Sequence, residues 1–308
     1  MNACRFRRRE VLALLAAGAL HAALPIRSVR AATDGVQASL AALERRSGGR
    51  LGVCVVAGDD PGAAFGHRVA ERFALCSTFK LLLAAAVLRE AERGMLALDE
   101  RLAFAGIERV PHSPVTDRHA EQGWMTVAAL AEATQTTSDN LAANLLLHRL
   151  GGPQALTALL REMGDSVTRI DRIEPAMNLV PAGEVRDTTT PAAMARTVAR
   201  LFGGELLNPA SQAQLRAWMI ATRTGQKRLR GGFPDDWIAG DKTGTGISPV
   251  MANKYNDVAV VWRAERAPWV VAAYYEADAH YPSMRAQDEA VLAEVGRIVS
   301  AGISPLGT

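Results

Sequence analysis

Four short clusters of reactive side chains follow one another along this chain: Ser77-Thr78-Phe79-Lys80, Ser138-Asp139-Asn140, Glu174-Pro175-Ala176-Met177-Asn178 and Lys242-Thr243-Gly244. A hydroxyl three residues before an amine on one helix shares its face, close enough for the two to exchange a proton. Ser77 is expected at the helix start, the positive end of the helix dipole, where an oxyanion is stabilised. The run Leu81-Leu82-Leu83 anchors that helix in a core and limits where Lys80 can point. Taken singly the clusters say little. Ser-x-x-Lys also describes a cap followed by a solvated lysine, Lys-Thr-Gly an ordinary turn, and Ser-Asp-Asn an ordinary N-cap. Their order, at separations of 61, 36 and 68 residues, gives them weight.

The elements that must hold these groups show in the apolar pattern. Gly35–Arg46 has helical periodicity, and Arg50–Val56 has strand composition before a Gly/Asp/Pro turn at Gly58–Gly62. From Ser77 to Phe202 the pattern is mostly helical: Leu81–Glu92, a long stretch Val127–Leu150, then Ala155–Met163 and Pro191–Phe202. Thr168–Thr190 is irregular, and an ordered loop of that length inside a compact domain is usually functional. Strand composition returns at Asp236–Asp241, Val258–Arg263 and Trp269–Tyr275, followed by an amphipathic helix over Gln287–Ile298. Strands at both ends with helices between predict one sheet carrying an inserted helical lobe, with a site in the cleft between them.

Residues 1–31 have the form of a signal peptide: Arg5, Arg7, Arg8 and Arg9, an apolar run Val11–Leu24, and Val29-Arg30-Ala31 for cleavage. A membrane anchor is the alternative, but about 14 residues broken by Gly18 and His21 fall short of the ~20 that a bilayer needs. Arg8-Arg9-Glu10-Val11-Leu12 also resembles a twin-arginine export signal. The whole chain carries +3, and without residues 1–31, which hold six Arg and one Glu, the balance is −2. Basicity thus belongs to the leader, and nothing in the body suggests a nucleic-acid surface. Cys54 and Cys76 remain after the leader. Two thiols in an oxidising compartment can pair, but Cys54 lies mid-strand and a buried free thiol is the expected state. Six scattered histidines show no metal-ligand spacing, so neither a metal nor a cofactor is expected.

In its motifs and their order, together with Ser113-Pro114-Val115-Thr116, Gly123-Trp124-Met125-Thr126-Val127 and Arg186-Asp187-Thr188-Thr189-Thr190-Pro191, the chain resembles the class A serine β-lactamases over essentially its whole mature length. The resemblance implies an α/β (α+β) fold: a mainly antiparallel five-stranded sheet flanked by helices, with an inserted all-helical lobe and the site in the cleft. Residues 32–70 and 215–308 would form the α/β lobe, and 71–214, including the 168–190 loop, the helical one. It implies β-lactam hydrolysis through an acyl-enzyme on Ser77, with Lys80 in proton exchange and Glu174 and Asn178 holding the deacylating water. Ser138 would relay a proton to the leaving nitrogen. Asn140 would bind the substrate's side-chain amide. Lys242, Thr243 and Thr245 would receive its carboxylate, next to Gly244, with the N–H groups of Ser77 and Thr245 as oxyanion hole. Arg172 and Asp187 would close the loop at its neck, and Glu174-Pro175 would be cis.

Two readings of Arg228 stand: a surface arginine beside Lys227 and Arg230, or a guanidinium reaching the substrate carboxylate. His112 takes the cleft-mouth place of a larger aromatic residue in many relatives. Gly246 stands where some carbapenem-hydrolysing relatives have a cysteine paired to the residue before the nucleophile. The stretch Ile247–Asn256 is expected as a lengthened loop before the next strand, either reshaping the cleft edge or simply tolerated. A penicillin-binding peptidase would share Ser-x-x-Lys but lack the base on the loop, and a non-catalytic β-lactam sensor would carry a membrane span. The partners expected are small β-lactams for a periplasmic or secreted monomer, with no nucleic acid and no stable membrane association after leader cleavage.

Overall fold

The computed structural model describes residues 26–58, 60–263 and 267–304, without side chains for 26–32 and Pro61. The leader's basic patch and its apolar run up to Leu24 lie outside the described residues.

Helix α1 (Ile26–Ser47) leads into β1 (Arg50–Ala57) and β2 (Asp60–His67). After β3 (Phe73–Ala74) and a 3-10 turn at Cys76–Thr78 comes α2 (Phe79–Glu92). A short hairpin, β4 (Arg101–Ala103) with β5 (Trp124–Thr126), precedes α3 (Val127–Thr136), α4 (Asn140–Arg149) and α5 (Pro153–Glu162). Then follow β6 (Thr188–Thr189), α6 (Pro191–Phe202), α7 (Pro209–Ile220), β7 (Ile238–Ser248), β8 (Met251–Trp262), β9 (Trp269–Glu276) and α8 (Ala286–Ile303).

The main sheet has five antiparallel strands in the order β2-β1-β9-β8-β7, so its central strands come from both ends of the chain. Successive side chains on a strand face opposite sides. Cys54, Val56, Val258, Val260, Val270, Ala272 and Tyr274 accordingly join the core shared with the helices from α2 onward. Leu51, Val53, Val55, Tyr255, Ala259, Val261, Val271, Ala273 and Tyr275 join the core under α1 and α8. Both faces are covered, which is why these strands read as continuous apolar runs. Helix α2 is buried nearly all round, as a helix without a polar face must be.

Four features differ from the sequence expectation. The segment read as a turn at 58–62 enters β2, which pairs with β1 at the edge of the sheet. The long periodic stretch 127–150 is two helices, broken at Thr137–Asp139 where Ser138 takes a left-handed φ of 62°. Helix α7 carries no strong apolar stripe, and its cues are local: Asn208 accepts from Ser211 N–H, with Pro209 at the first helical position. It spans residue 215 and packs on β7, where a Cβ on Gly240 would meet Met219 backbone at 2.6 Å. Finally, Ile247–Asn256 is no long loop. Strands β7 and β8 run up to Ser248 and from Met251 in one tight hairpin, and Ser248 pairs with Met251 across a bulge.

Candidate active site

The 3-10 turn at Cys76–Thr78 feeds Ser77 into the start of α2, and Cys76 there has a left-handed φ of 42°. Lys80 is fully buried. Its Nζ donates to Ser77 Oγ (3.1 Å), to Ser138 O (2.9 Å) and Oγ (3.3 Å), and to Asn140 Oδ1, and it pairs with Glu174 Oε1 at 3.0 Å. Burial pushes the Lys80 pKa below its ordinary value, and the adjacent Glu174 carboxylate opposes that shift.

The break between α3 and α4 brings Ser138 to the cleft. Asp139 caps α4 by accepting from Ala142 N–H, and also accepts from Val115 and Thr116 N–H, which ties the 113–116 turn to the helix start. Asn140 Nδ2 donates to Pro111 O at 2.7 Å, so its side chain bridges Lys80 and the cleft rim. His112, with φ 61°, contacts Thr137 O through Nε2 at 3.2 Å and lines the mouth.

Glu174 is buried, and its peptide bond to Pro175 is cis. Ser77 Oγ donates directly to Glu174 Oε1 at 3.2 Å. Asn178 Nδ2 donates to Glu174 Oε2, while Asn178 Oδ1 is buried with no hydrogen-bond partner among the described residues. The loop is held at its neck by Arg172 Nε on Asp187 Oδ2 (2.5 Å). Asp187 Oδ1 also accepts from Asp171 N–H (2.8 Å) and Arg172 N–H (3.0 Å). Leu75 N–H donates to Asp187 O, and β3 pairs with β6, so the loop neck and the nucleophile turn are stitched together.

Strand β7 forms the opposite wall. Lys242 Nζ, fully buried, donates to Ser138 Oγ at 3.1 Å and Thr243 O at 2.8 Å. Burial, reinforced by the Lys80 charge, lowers its pKa to about 7. Gly244 is compulsory here, because a Cβ would lie 2.9 Å from Leu75 O and 3.1 Å from Thr78 N. Thr243 Oγ1 shares a 2.7 Å hydrogen bond with Thr224 Oγ1. Arg228 is buried, which excludes the surface reading. It donates to Thr245 Oγ1 (2.7 Å), Gly244 O (2.8 Å) and Asn256 O (2.9 Å). These walls enclose a cavity of about 440 Å³ reached by Ser77, Ser138, Asn140, Asn178, Thr243 and Thr245.

The structure therefore brings every sequence-predicted site residue to this cleft or to the loop neck. Reading the motifs missed Asn144, whose Nδ2 donates to Glu174 O and whose Oδ1 accepts from Glu174 N–H, both at 2.9 Å. Its position four residues after Asn140, on the same helical face, was the available signal. Thr224, Met284 and Glu289 also line the cavity unannounced by any motif. Cys54 and Cys76 are buried free thiols, each pushed up to about 12 by burial. Among the described residues no His/Cys/Asp/Glu group has the arrangement to hold a metal ion.

The family profile of the β-lactamase enzyme family matches residues 35–303. β-Lactamase L2 of Stenotrophomonas maltophilia is 47% identical over 285 residues, covering 92% of this chain and 89% of its own. β-Lactamase CTX-M-8 of Citrobacter amalonaticus is 40% identical over 273 residues, covering 88% and 90%. The solved class A β-lactamase described as the last common ancestor of Gram-negative bacteria superposes with a TM-score of 0.81 at 52% identity, over 87% of this chain and 99% of that one. The chain belongs to the β-lactamase enzyme family as a class A serine β-lactamase, a hydrolase of the β-lactam amide bond that confers antibiotic resistance.

Proposed function

We propose that hydrolysis runs through an ester on Ser77, with Glu174 as the base for its breakdown. The contact of Ser77 Oγ with both Lys80 Nζ and Glu174 Oε1 carries this reading. Lys80 donates to Oγ while the Ser77 proton faces the carboxylate, so Glu174 takes that proton as Oγ attacks the lactam carbonyl. The N–H groups of Ser77 and Thr245 then receive the oxyanion, a contribution of about 3–4 kcal/mol per donor. The C–N bond breaks and the nitrogen takes a proton from Ser138, whose Oγ accepts from both Lys80 and Lys242 and so can turn its own hydrogen to the cleft. Lys80 replaces the Ser138 proton with one of its own and takes the proton held by Glu174 in exchange, so the carboxylate is free again before water arrives. Lys242, Thr243 and Thr245 hold the substrate carboxylate, joined by Arg228 through Thr245 Oγ1. In the second half, Glu174 deprotonates a water that Asn178 Oδ1, an acceptor with no protein partner among the described residues, helps to hold. Water oxygen bonds the acyl carbon, the ester bond breaks, and Ser77 recovers its proton.

Rapid mixing with a chromogenic cephalosporin tests the scheme. Wild type is expected to turn over repeatedly and Ser77→Ala to form no covalent adduct; an adduct on the alanine variant would reject Ser77 as nucleophile.

The same reading divides the chain into an α/β lobe (32–70, 215–308) and a helical lobe (71–214), and treats residues 1–31 as a leader directing a monomer to the periplasm or the medium. Among the described residues no helix is long and apolar enough to cross a membrane. A mature N-terminus other than residue 32 after export would overturn the cleavage site.

A further inference from the structure

Met284 and Glu289 line the cavity beside Arg228 and Thr245 and belong to none of the motifs. Glu289 sits in the first turn of α8, where the helix dipole favours a carboxylate. Its Oε1 accepts from Arg228 Nε at 3.2 Å, and no hydrogen bond falls on Oε2 among the described residues. A guanidinium has five N–H groups. In Arg228 the Nε hydrogen goes to Glu289, those of Nη1 to Gly244 O and Asn256 O, and one of Nη2 to Thr245 Oγ1. The remaining Nη2 contact is Met284 Sδ at 3.9 Å, a weak acceptor on a residue that is 53% exposed.

The guanidinium is thus fixed and committed inward, its side chain 3% exposed against 14% for Glu289. A group entering over Met284 meets the carboxylate before it meets the cation.

We propose that Glu289 is a specificity-determining residue. It selects, by charge, the substituent that a β-lactam carries on the fused ring next to its carboxylate, favouring a cationic group and disfavouring an anionic one. The inference rests on the reading of Thr243 and Thr245 as the carboxylate subsite.

The test compares cephalosporins with one acyl side chain and three ring-methylene groups: pyridinium, acetoxy and a carboxylate-bearing arm. Their kcat/KM values are measured for wild type and Glu289→Gln. Glutamine keeps an acceptor for Arg228 Nε and removes only the charge. The expected result is a wild-type preference for pyridinium over carboxylate that falls about five- to tenfold in Glu289→Gln, mostly through KM, and that shrinks in wild type as salt is raised. A ratio unchanged within about twofold, with no salt dependence in wild type, would overturn the proposal. Thr243→Val, expected to raise KM for all three substrates alike, checks the subsite separately. If it leaves KM unchanged, the parent reading fails rather than the role of Glu289 alone.

Discussion

Glu174 Oε1 accepts from Ser77 Oγ at 3.2 Å and stands 3.0 Å from Lys80 Nζ, so one carboxylate oxygen faces both the nucleophile and its amine neighbour. An ammonium and a carboxylate buried together stabilise each other's charge, and removing one leaves the other uncompensated. Glu174→Gln keeps the shape, loses the base and leaves Lys80 without its anion. With burial already lowering the Lys80 pKa, the amine is then freer to act as a base. The expected outcome is a variant that still acylates but deacylates slowly, with kcat down by about 100- to 10,000-fold. Intact-mass measurement should show a persistent adduct on Ser77; turnover at the wild-type rate would remove Glu174 from the mechanism.

Lys242 gives a pH dependence whose sign can be worked out. Its pKa in the folded protein is about 7 against an ordinary 10.5, because burial and the Lys80 charge both disfavour the cation. Below about pH 7 the amine is charged and attracts the substrate carboxylate; above it the charge is lost. The kcat/KM profile should therefore fall on the alkaline side with a midpoint near 7, through KM. Lys242→Arg, which stays protonated, should move that limb upward. Stability runs the other way. Between pH 7 and 10.5 the unfolded chain binds the proton that the folded one has released, so this group's contribution to stability rises with pH across the window. A profile flat from pH 6 to 9 in both proteins would contradict the assignment.

Side chains brought together by one regular element were legible from spacing alone; those meeting across the cleft, such as Ser138 with Lys242 and Arg172 with Asp187, were legible only through the resemblance. Ser77 and Lys80 share a face because helical spacing puts them there, and the α2 apolar run fixes the helix that carries them. Strand β2 was missed because Asp60-Pro61-Gly62-Ala63-Ala64 has poor strand propensity, which an edge strand tolerates. The α3–α4 break was missed because apolar spacing continues through it, and the change is marked only locally, by the left-handed Ser138 and the Asp139 cap. Arg228 stayed ambiguous because burial is not a local property, and its partner Glu289 lies 61 residues away.

Asn144 is predicted to act on Glu174 through the backbone alone. Its amide makes a reciprocal pair of 2.9 Å hydrogen bonds with the Glu174 peptide, one accepted and one donated, which fixes where the loop crosses α4. Asn144→Ala leaves two backbone groups without their partner, a cost of about 1–3 kcal/mol each where water cannot replace it. Urea unfolding should show a lower midpoint, and deacylation should slow more than acylation. Equal slowing of both steps would mean that Asn144 supports the fold generally rather than the placement of Glu174.

The neck of the loop offers an independent test of the same positioning. Asp187 is buried and accepts from Arg172 Nε as well as from two backbone N–H groups, while its own carbonyl accepts from Leu75 N–H beside the nucleophile turn. Arg172→Ala removes the side-chain cation that pairs with that carboxylate, and breaking such a pair costs up to about 3–5 kcal/mol. The two remaining backbone donors should hold the loss toward the lower end of that range. The loop is expected to loosen first, so that hydrogen exchange rises over residues 168–190 before it rises in the strands. Uniform acceleration across the molecule would show that the neck pair stabilises the whole fold rather than the loop.

Gly246 and Cys76 supply a last prediction from packing. A Cβ at position 246 would lie 3.1 Å from Cys76 Sγ, close to the ~3 Å that separates a Cβ from the distal sulfur in a disulfide. The other close neighbours are Met251 Cε, also at 3.1 Å, the end of a flexible side chain that can move aside, and Asn178 O at 3.3 Å, which must give by a few tenths of an ångström. Gly246→Cys should therefore cross-link the β7 wall to the residue before the nucleophile. Burial, which holds the Cys76 thiol at about 12, makes it a poor nucleophile in the folded protein, so the bond should form during folding and hardly at all afterwards. Refolding in a glutathione redox buffer and then labelling with maleimide under denaturing conditions should leave Cys54 reactive, with Cys76 and the introduced thiol protected. The thermal midpoint should drop on reduction, consistent with about 2–4 kcal/mol from the bond. Labelling of all these thiols after oxidative refolding would mean that the β7 wall does not approach Cys76 as closely as the structure has it.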